Sequence, residues 1–246
     1  MQRKDFITLL SSGLIGSMVL AQSRDSQDPK FTQQELMGIE VTGLQRTSSY
    51  QLRPEAALAF EEMRKAAREE VNVQIQVVSS FRDYNHQNRI WTRKYDRYIN
   101  QGLSPLDAIS KIIEYSTIPG TSRHHWGTDI DIIDLNATQP KDVLLPENFH
   151  ENGPYCELKE WLEERAADFE FHIVYTNKEN RKGFKYEPWH YSYAPVAKPL
   201  LQAYRKLPLQ EILQQLRLVG SDHFTPDFTR KYISENILDI NPILLA

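Results

Sequence analysis

The stretch that decides the fold reads Ser122-Arg123-His124-His125-Trp126-Gly127-Thr128-Asp129-Ile130-Asp131-Ile132-Ile133. Its second half alternates, so that Asp129 and Asp131 fall on one side of an extended chain and Ile130 and Ile132 fall on the other. This alternation predicts a β-strand over residues 128–133, after a loop that begins near residue 119. Two carboxylates on one strand face are costly to bury unless they are solvated, paired or bound to a cation. The acidic face therefore either lies in solvent or holds a positively charged partner.

Outward from this strand, the periodicity of apolar residues predicts a mixture of helices and short strands. Helical spacing predicts seven helices, at residues 54–70, 85–98, 105–115, 158–169, 196–206, 209–218 and 229–238. Further strands are predicted at residues 71–78, 171–175 and 189–193. Helices come first, the strands lie in the middle and helices follow, which predicts an α+β fold: a small central antiparallel sheet flanked by helices, with a helical C-terminal tail.

The bulk composition is that of an ordinary globular protein. The chain has 246 residues, of which 40% are hydrophobic and 25% are charged, enough for one sizeable domain with its own core. The formal net charge is −4 and the isoelectric point is about 6.0. Because no basic stripe runs along any stretch, we expect no nucleic-acid partner.

The N-terminus has the layout of a secretory signal peptide. Arg3 and Lys4 precede an apolar run over residues 6–20, and Ala21 supplies a small residue at the cleavage point. The run is shorter than the roughly 20 residues that span a membrane, although an uncleaved anchor is the alternative. We therefore expect a signal peptide at residues 1–21, a flexible linker at 22–34, no stable membrane span after cleavage, and export. Cys156 is the only cysteine, which excludes an intramolecular disulfide.

Two separate segments carry side chains that suit metal chemistry. His124 and Asp131 lie in the first, and Glu187 precedes His190 by three residues in the second. Each segment alone has an ordinary explanation, namely a solvent-facing strand and an aromatic core. Together they supply the three nitrogen or oxygen ligands of a catalytic zinc ion, and a further carboxylate that can accept a proton from water.

Three motifs in this order resemble the VanY-type D-alanyl-D-alanine carboxypeptidase family of zinc peptidases, within peptidase family M15. They are Ser122-x-His124-x-x-Gly127-x-x-x-Asp131, then Glu187-x-Trp189-His190, and upstream Ser79-Ser80-Phe81-Arg82-Asp83-Tyr84 with Gln87. The resemblance covers roughly residues 50–193 and implies a fold like that of the DD-peptidases and hedgehog domains. It also implies a zinc peptidase domain at residues 35–206, followed by a helical C-terminal extension at 207–246.

The resemblance assigns a role to each matching residue. It implies one zinc ion per chain, held by His124, Asp131 and His190. Glu187 is implied to be the general base that activates the water and then protonates the leaving amine. Arg82 is implied to stabilise negative charge on the substrate, at the scissile carbonyl or at a carboxylate. Substrate contacts are also expected of Gln87 and Ser122.

Asp129 departs from the family pattern, which often has alanine at this position. The sequence leaves two interpretations of Asp129 open: a carboxylate that supports the metal site from behind, or one that faces solvent. His125, next to His124, is expected to point elsewhere.

The expected function follows from the resemblance. It is hydrolysis of D-alanine-containing peptide bonds in peptidoglycan stem peptides, as a D-alanyl-D-alanine carboxypeptidase in the periplasm or outside the cell, at the cell envelope. Two alternatives stay open at this point: an endopeptidase that cuts inside a stem or cross-link, and a non-catalytic binding module with structural zinc.

Overall fold

A computed structural model describes residues 31–245 of the chain. The predicted signal peptide at residues 1–21 lies outside the described residues, as does most of the predicted linker. Within the described part, no helix is both long and apolar enough to cross a bilayer.

The central sheet confirms the α+β fold with a small antiparallel sheet. Its strands are β3 (Ile75–Ser79), β4 (Asp129–Asp134), β5 (Phe171–Ile173) and β6 (His190–Tyr193), and a separate hairpin joins β1 (Gln45–Arg46) to β2 (Gln51–Leu52). The order across the sheet is β3-β4-β6-β5, and each neighbouring pair is antiparallel. Strand β4 is therefore an inner strand, and all six of its residues are buried. A solvent-facing acidic strand, one of the two interpretations above, is wrong for this reason.

Helices surround the sheet and continue to the C-terminus. They are α1 (Gln33–Leu36), α2 (Pro54–Val71), α3 (Tyr84–Asn100), α4 (Pro105–Ile112), α5 (Cys156–Arg165), α6 (Ala194–Tyr204), α7 (Leu209–Gln215) and α8 (Pro226–Tyr232). A π-helical turn, Ile233–Ile237, follows α8 directly. The predicted strand at 71–78 begins later than expected, because α2 continues through Val71 and ends where Asn72 adopts a left-handed conformation with φ of 55°.

Local signals explain where the helices near the centre of the molecule begin. Pro54 occupies the first turn of α2, where its missing N–H is not needed. The carboxylate of Asp83 accepts a hydrogen bond of 2.6 Å from the backbone N–H of His86 and so caps α3. Helix α3 therefore begins directly after Arg82.

Two hydrophobic clusters hold the fold. The first lies between α2, α5 and the sheet, and is represented by Phe60, Ile132 and Leu162. The second lies among α3, α4 and the C-terminal helices, and is represented by Trp91 and Leu200. The isoleucines of β4, Ile130, Ile132 and Ile133, all belong to the first cluster.

The C-terminal segment packs closely on the rest of the molecule. The Tyr232 hydroxyl accepts a hydrogen bond of 3.0 Å from the Ile118 N–H and lies 2.9 Å from Thr121 Oγ1. At Gly183, an added Cβ would lie 1.6 Å from the carbonyl oxygen of Glu235, so only glycine allows this approach of two backbones. The segment after residue 206 thus contacts the loop that leads into His124, and residues 31 onward form one compact unit. The boundary between a peptidase domain at 35–206 and an extension at 207–246 stays a prediction.

Candidate metal centre and its cleft

Three elements bring His124, Asp131 and His190 together. His124 lies in the 3-10 turn Arg123–Trp126, Asp131 lies on β4, and His190 begins β6. The register of the two strands places Asp131 directly opposite His190. One ligand atom from each residue lies within 4.8 Å of the others, and all three side chains are buried. In the part of the chain that the structure describes, this is the one cluster of this kind.

The outer nitrogen of each histidine ring is held by a hydrogen bond. His124 Nδ1 lies 2.7 Å from the carbonyl oxygen of Ser80, and His190 Nε2 lies 3.0 Å from Asp129 Oδ2. A carbonyl oxygen only accepts, so His124 donates from Nδ1 and directs Nε2 towards Asp131, 3.4 Å away. His190 likewise directs Nδ1 towards Asp131, at 3.9 Å. Both rings are therefore oriented to offer a nitrogen to one point.

The cluster fits a divalent metal ion. Asp131 Oδ1 is buried and has no hydrogen-bond partner among residues 31–245, an arrangement that is rare for a carboxylate oxygen inside a protein. Two imidazole nitrogens and one carboxylate are a donor set typical of catalytic zinc, with a position left for water or substrate. The chemistry of the donor set and the unpartnered oxygen therefore both indicate a metal site.

Asp129 lies behind His190 and is fully buried. Its carboxylate accepts hydrogen bonds from Arg123 Nε at 3.0 Å, Thr128 Oγ1 at 2.8 Å and Ser192 Oγ at 2.7 Å, in addition to the His190 contact. Burial acts to raise the pKa of Asp129, but the Arg123 guanidinium and His190 outweigh it and hold the pKa well below its usual range. The Asp129 carboxylate thus fixes the His190 ring through their contact, which is the supporting role left open by the sequence.

Glu187 lies on the cleft side of His190. Its Oε2 is 2.9 Å from His190 Nδ1. The two side chains meet because the chain forms a tight turn here, in which the His190 N–H donates to the Glu187 carbonyl oxygen at 3.2 Å. Burial raises the pKa of Glu187, and the hydrogen bond to His190 opposes this shift only in part. Burial lowers the pKa of His190, but the contacts with Asp129 and Glu187 raise it overall to about 10. A proton and a metal ion therefore compete for His190 Nδ1, and metal binding releases protons.

A cleft of about 330 Å³ opens onto this cluster. Of the side chains predicted to contact substrate, Arg82 and Ser122 line the cleft. Both Arg82 Nε and Ser122 Oγ are buried and have no hydrogen-bond partner in the part of the chain that the structure describes. Gln87 is not in the cleft wall; it is fully buried and donates to the carbonyl oxygen of Thr117 at 2.9 Å. The structure therefore gives Gln87 a place beneath the loop that carries Ser122.

His125 points away from the cluster, as expected. Its Nδ1 lies 2.6 Å from the carbonyl oxygen of Arg82, and its Nε2 accepts from the Gly120 N–H at 3.1 Å. Burial lowers the pKa of His125 to about 3, so the ring is neutral. It therefore fastens the segment around Arg82 to the loop that carries His124.

Lys94 and Tyr175 are among the cleft residues that sequence reasoning missed. Lys94 lines the cleft from α3, and Tyr175 lines it with its ring 5.2 Å from that of His190. Helical periodicity could have found Lys94, because it lies one turn after Ile90, which also lines the cleft. No local signal marks Tyr175, since its position depends on the pairing of β5 with β6.

Comparison with known proteins gives consistent matches. Residues 49–196 match the family model described as VanY, D-alanyl-D-alanine carboxypeptidase. An uncharacterised protein of Haemophilus influenzae is 33% identical over 107 residues, which cover 43% of this chain and 82% of that protein. A D-alanyl-D-alanine carboxypeptidase of Enterococcus faecalis is 29% identical over 138 residues, or 56% of this chain and 46% of that enzyme.

A solved structure resembles the fold. It is a variant of the vancomycin-resistance D,D-pentapeptidase VanY from a VanB-type cassette, in complex with Zn(II). The identity is 26%, the TM-score is 0.50, and the match covers 69% of this chain and 88% of that one.

Proposed function

The chain belongs to the VanY family of D-alanyl-D-alanine carboxypeptidases, and on this premise we propose that it is a zinc-dependent enzyme that removes the terminal D-alanine from peptidoglycan stem peptides. We assign His124, Asp131 and His190 as ligands of one zinc ion and Glu187 as the general base. The relatives' association with peptidoglycan-type substrates suggests that the enzyme works in the cell envelope.

One observation carries the proposal. Three buried donor atoms face one point, a carboxylate oxygen of Asp131 has no partner there, and Glu187 lies beside that point at the end of an open cleft. A purely structural zinc site is closed by four protein ligands, whereas a catalytic site leaves a position open. The open arrangement beside an extra carboxylate supports hydrolysis over a binding module.

Bound zinc would polarise the scissile carbonyl and make a water molecule more acidic. The protein residues supply the remaining chemistry. Glu187 accepts the proton of the attacking water and returns it to the leaving amine, and its raised pKa brings it closer to that of an effective proton shuttle. Tyr175 and Trp189 line the same cleft as Glu187, whose side chain is buried.

Arg82 favours a carboxypeptidase over an endopeptidase. No hydrogen bond or ion pair within the described residues engages its guanidinium, although it lines the cleft. A free guanidinium is suited to bind a carboxylate, which a substrate offers when the scissile bond is next to its C-terminus. Ser122 Oγ, also without a partner, is placed to assist.

The proposal is tested on the purified protein by measuring metal content and D-alanine release from a pentapeptide stem. About one zinc ion per chain is expected, with release lost on chelation and restored by zinc. An amidated C-terminus should block release if Arg82 binds the carboxylate. Zinc without release from either peptide would contradict the assignment as a carboxypeptidase, and the absence of bound metal would contradict the ligand assignment.

A further inference from the structure

The cleft contains a second cation without a partner. Lys94 lines the cleft from α3 and is half-buried, and no hydrogen bond or ion pair within residues 31–245 involves its ammonium group. Burial lowers the pKa of Lys94, and the nearby charge of Glu187 opposes this shift. Lys94 therefore lines the same cleft as Glu187 and the three residues of the metal cluster.

Arg123 shows by contrast what a neutralised cation in this cleft looks like. It also lines the cleft, but its guanidinium pairs with the fully buried Asp129 at 3.0 Å. The two carboxylates that line the cleft, Asp131 and Glu187, offset the charge of a divalent ion when one is bound. Arg82 and Lys94 are then the two cations lining the cleft whose charged groups form no hydrogen bond or ion pair within residues 31–245.

From this imbalance we propose, resting on the function above, that Lys94 forms a second carboxylate-binding subsite. The preferred stem peptide then carries two carboxylates: the C-terminal one for Arg82 and a side-chain carboxylate near the scissile bond for Lys94. A residue such as 2,6-diaminopimelate offers that group. A stem with lysine in its place keeps the side-chain ammonium group but lacks this carboxylate, so it loses the attraction to Lys94 and is disfavoured.

Other groups in the cleft suit this assignment. Thr117 lines the cleft, and its Oγ1 is buried and has no hydrogen-bond partner within residues 31–245, so it can donate to a bound carboxylate. A charge-assisted hydrogen bond in a partly desolvated site is among the stronger polar contacts that a ligand makes. The subsite therefore contributes selectivity as well as affinity.

The test compares two diaminopimelate pentapeptides that end in D-alanyl-D-alanine and differ only at the side-chain carboxylate, which is free in one and amidated in the other. Calorimetric titration of the zinc-loaded E187A protein measures binding without turnover, and kcat/KM of the unmodified enzyme measures catalysis. The free carboxylate should bind about tenfold more tightly. This preference should fall to within about twofold in Lys94→Met and persist in Lys94→Arg.

Arg93→Met is the matched control, because Arg93 precedes Lys94 on α3, is exposed and does not line the cleft. It should retain the full preference for the free carboxylate. If the E187A protein bound the two peptides with equal affinity, the subsite would be overturned, and this comparison does not depend on whether Lys94→Met folds. Undetectable binding of both peptides would overturn it as well. A preference for the free carboxylate without any D-alanine release would support the subsite while contradicting the carboxypeptidase assignment.

Discussion

The two sides of the His190 ring differ in how completely their polar atoms are paired. On the sheet side, the carboxylate of Asp129 is in contact with four polar groups. On the cleft side, Asp131, two residues along the same strand and on the same face, leaves Oδ1 without a partner. Among the residues that the structure describes, Arg82 Nε and Ser122 Oγ also have no hydrogen-bond partner on that side.

This difference separates the residues that support the metal centre, called the frame below, from the residues that face the substrate. Buried polar atoms are nearly always paired, so a group of unpaired ones in a cleft indicates atoms that a ligand will engage. A fully paired carboxylate, in contrast, already uses its oxygens in hydrogen bonds that hold neighbouring side chains in place. Substitutions on the cleft side should therefore affect turnover, and substitutions on the sheet side should affect metal affinity or stability.

The largest effect is expected for Glu187→Gln on the cleft side. The amide keeps the shape of the side chain but cannot accept the proton of the water, so kcat should fall by about 10²- to 10⁴-fold. Metal content should stay at the level of the unmodified protein, because Glu187 is not assigned as a ligand. Undiminished D-alanine release would remove Glu187 from the role of base.

The next effect tests the sheet side through Asp129→Asn. The substitution removes the negative charge behind His190 and leaves Arg123 without its counterion, so zinc should bind about 10- to 100-fold more weakly in a chelator competition.

Asp134→Asn is the control for this prediction. Asp134 is also buried on β4, but it accepts from the backbone N–H groups of Gln74 and Asn136 and lies outside the cluster. It should change stability and leave zinc affinity unaltered. Equal losses of affinity in the two variants would mean that Asp129 acts only through the fold.

Sequence periodicity is sufficient to predict the strand that holds both aspartates, but it does not predict that the two aspartates have different roles. Alternation places Asp129 and Asp131 on the same face, and nothing local distinguishes them. The distinction arises from the register that sets Asp131 opposite His190, and from Arg123 folding back onto Asp129. These are contacts between segments, which a pattern along the chain does not encode.

The cluster of His124, Asp131 and His190 was named from motif resemblance, because residues 59 positions apart along the chain, such as Asp131 and His190, have no shared periodicity. Most helices were predicted near their true limits, since their apolar faces are regular. The late start of β3 was missed because Val71 and Val73 suit a strand as well as a helix end.

A smaller effect is expected for Tyr232→Phe, which tests whether the C-terminal segment belongs to the frame. The substitution leaves the buried Ile118 N–H without its acceptor, which should lower the free energy of unfolding by about 1–3 kcal/mol. Urea denaturation measures this change. Tyr115→Phe is the control, because its side chain is 41% exposed and should change stability by less than about 0.5 kcal/mol. Similar stability of the two variants would show that the tail only covers the surface.

The smallest effect on stability is expected for ion pairs at the surface. Glu114 accepts from Lys111 and Lys185, both at 2.9 Å, and so ties the segment before Glu187 to the end of α4. Because all three side chains are partly exposed, Glu114→Gln should cost about 0.2–1 kcal/mol at neutral pH, and less in high salt.

The pH dependence of this contribution has a definite sign. Burial acts to raise the pKa of Glu114, but hydrogen bonds from Lys185 and Lys111 lower it overall. A carboxyl whose pKa is lower in the folded state stabilises the fold above its unfolded pKa, and the stabilisation is lost as the pH falls through the folded pKa. The difference in unfolding free energy between the unmodified protein and Glu114→Gln should therefore shrink on acidification. Glu69→Gln, whose ion pair with Lys65 is 3.8 Å long and largely exposed, should show almost no difference at any pH. If Glu114→Gln instead lowered the free energy of unfolding as much as Tyr232→Phe, then ion pairs and hydrogen bonds would stabilise the frame whether or not they are buried.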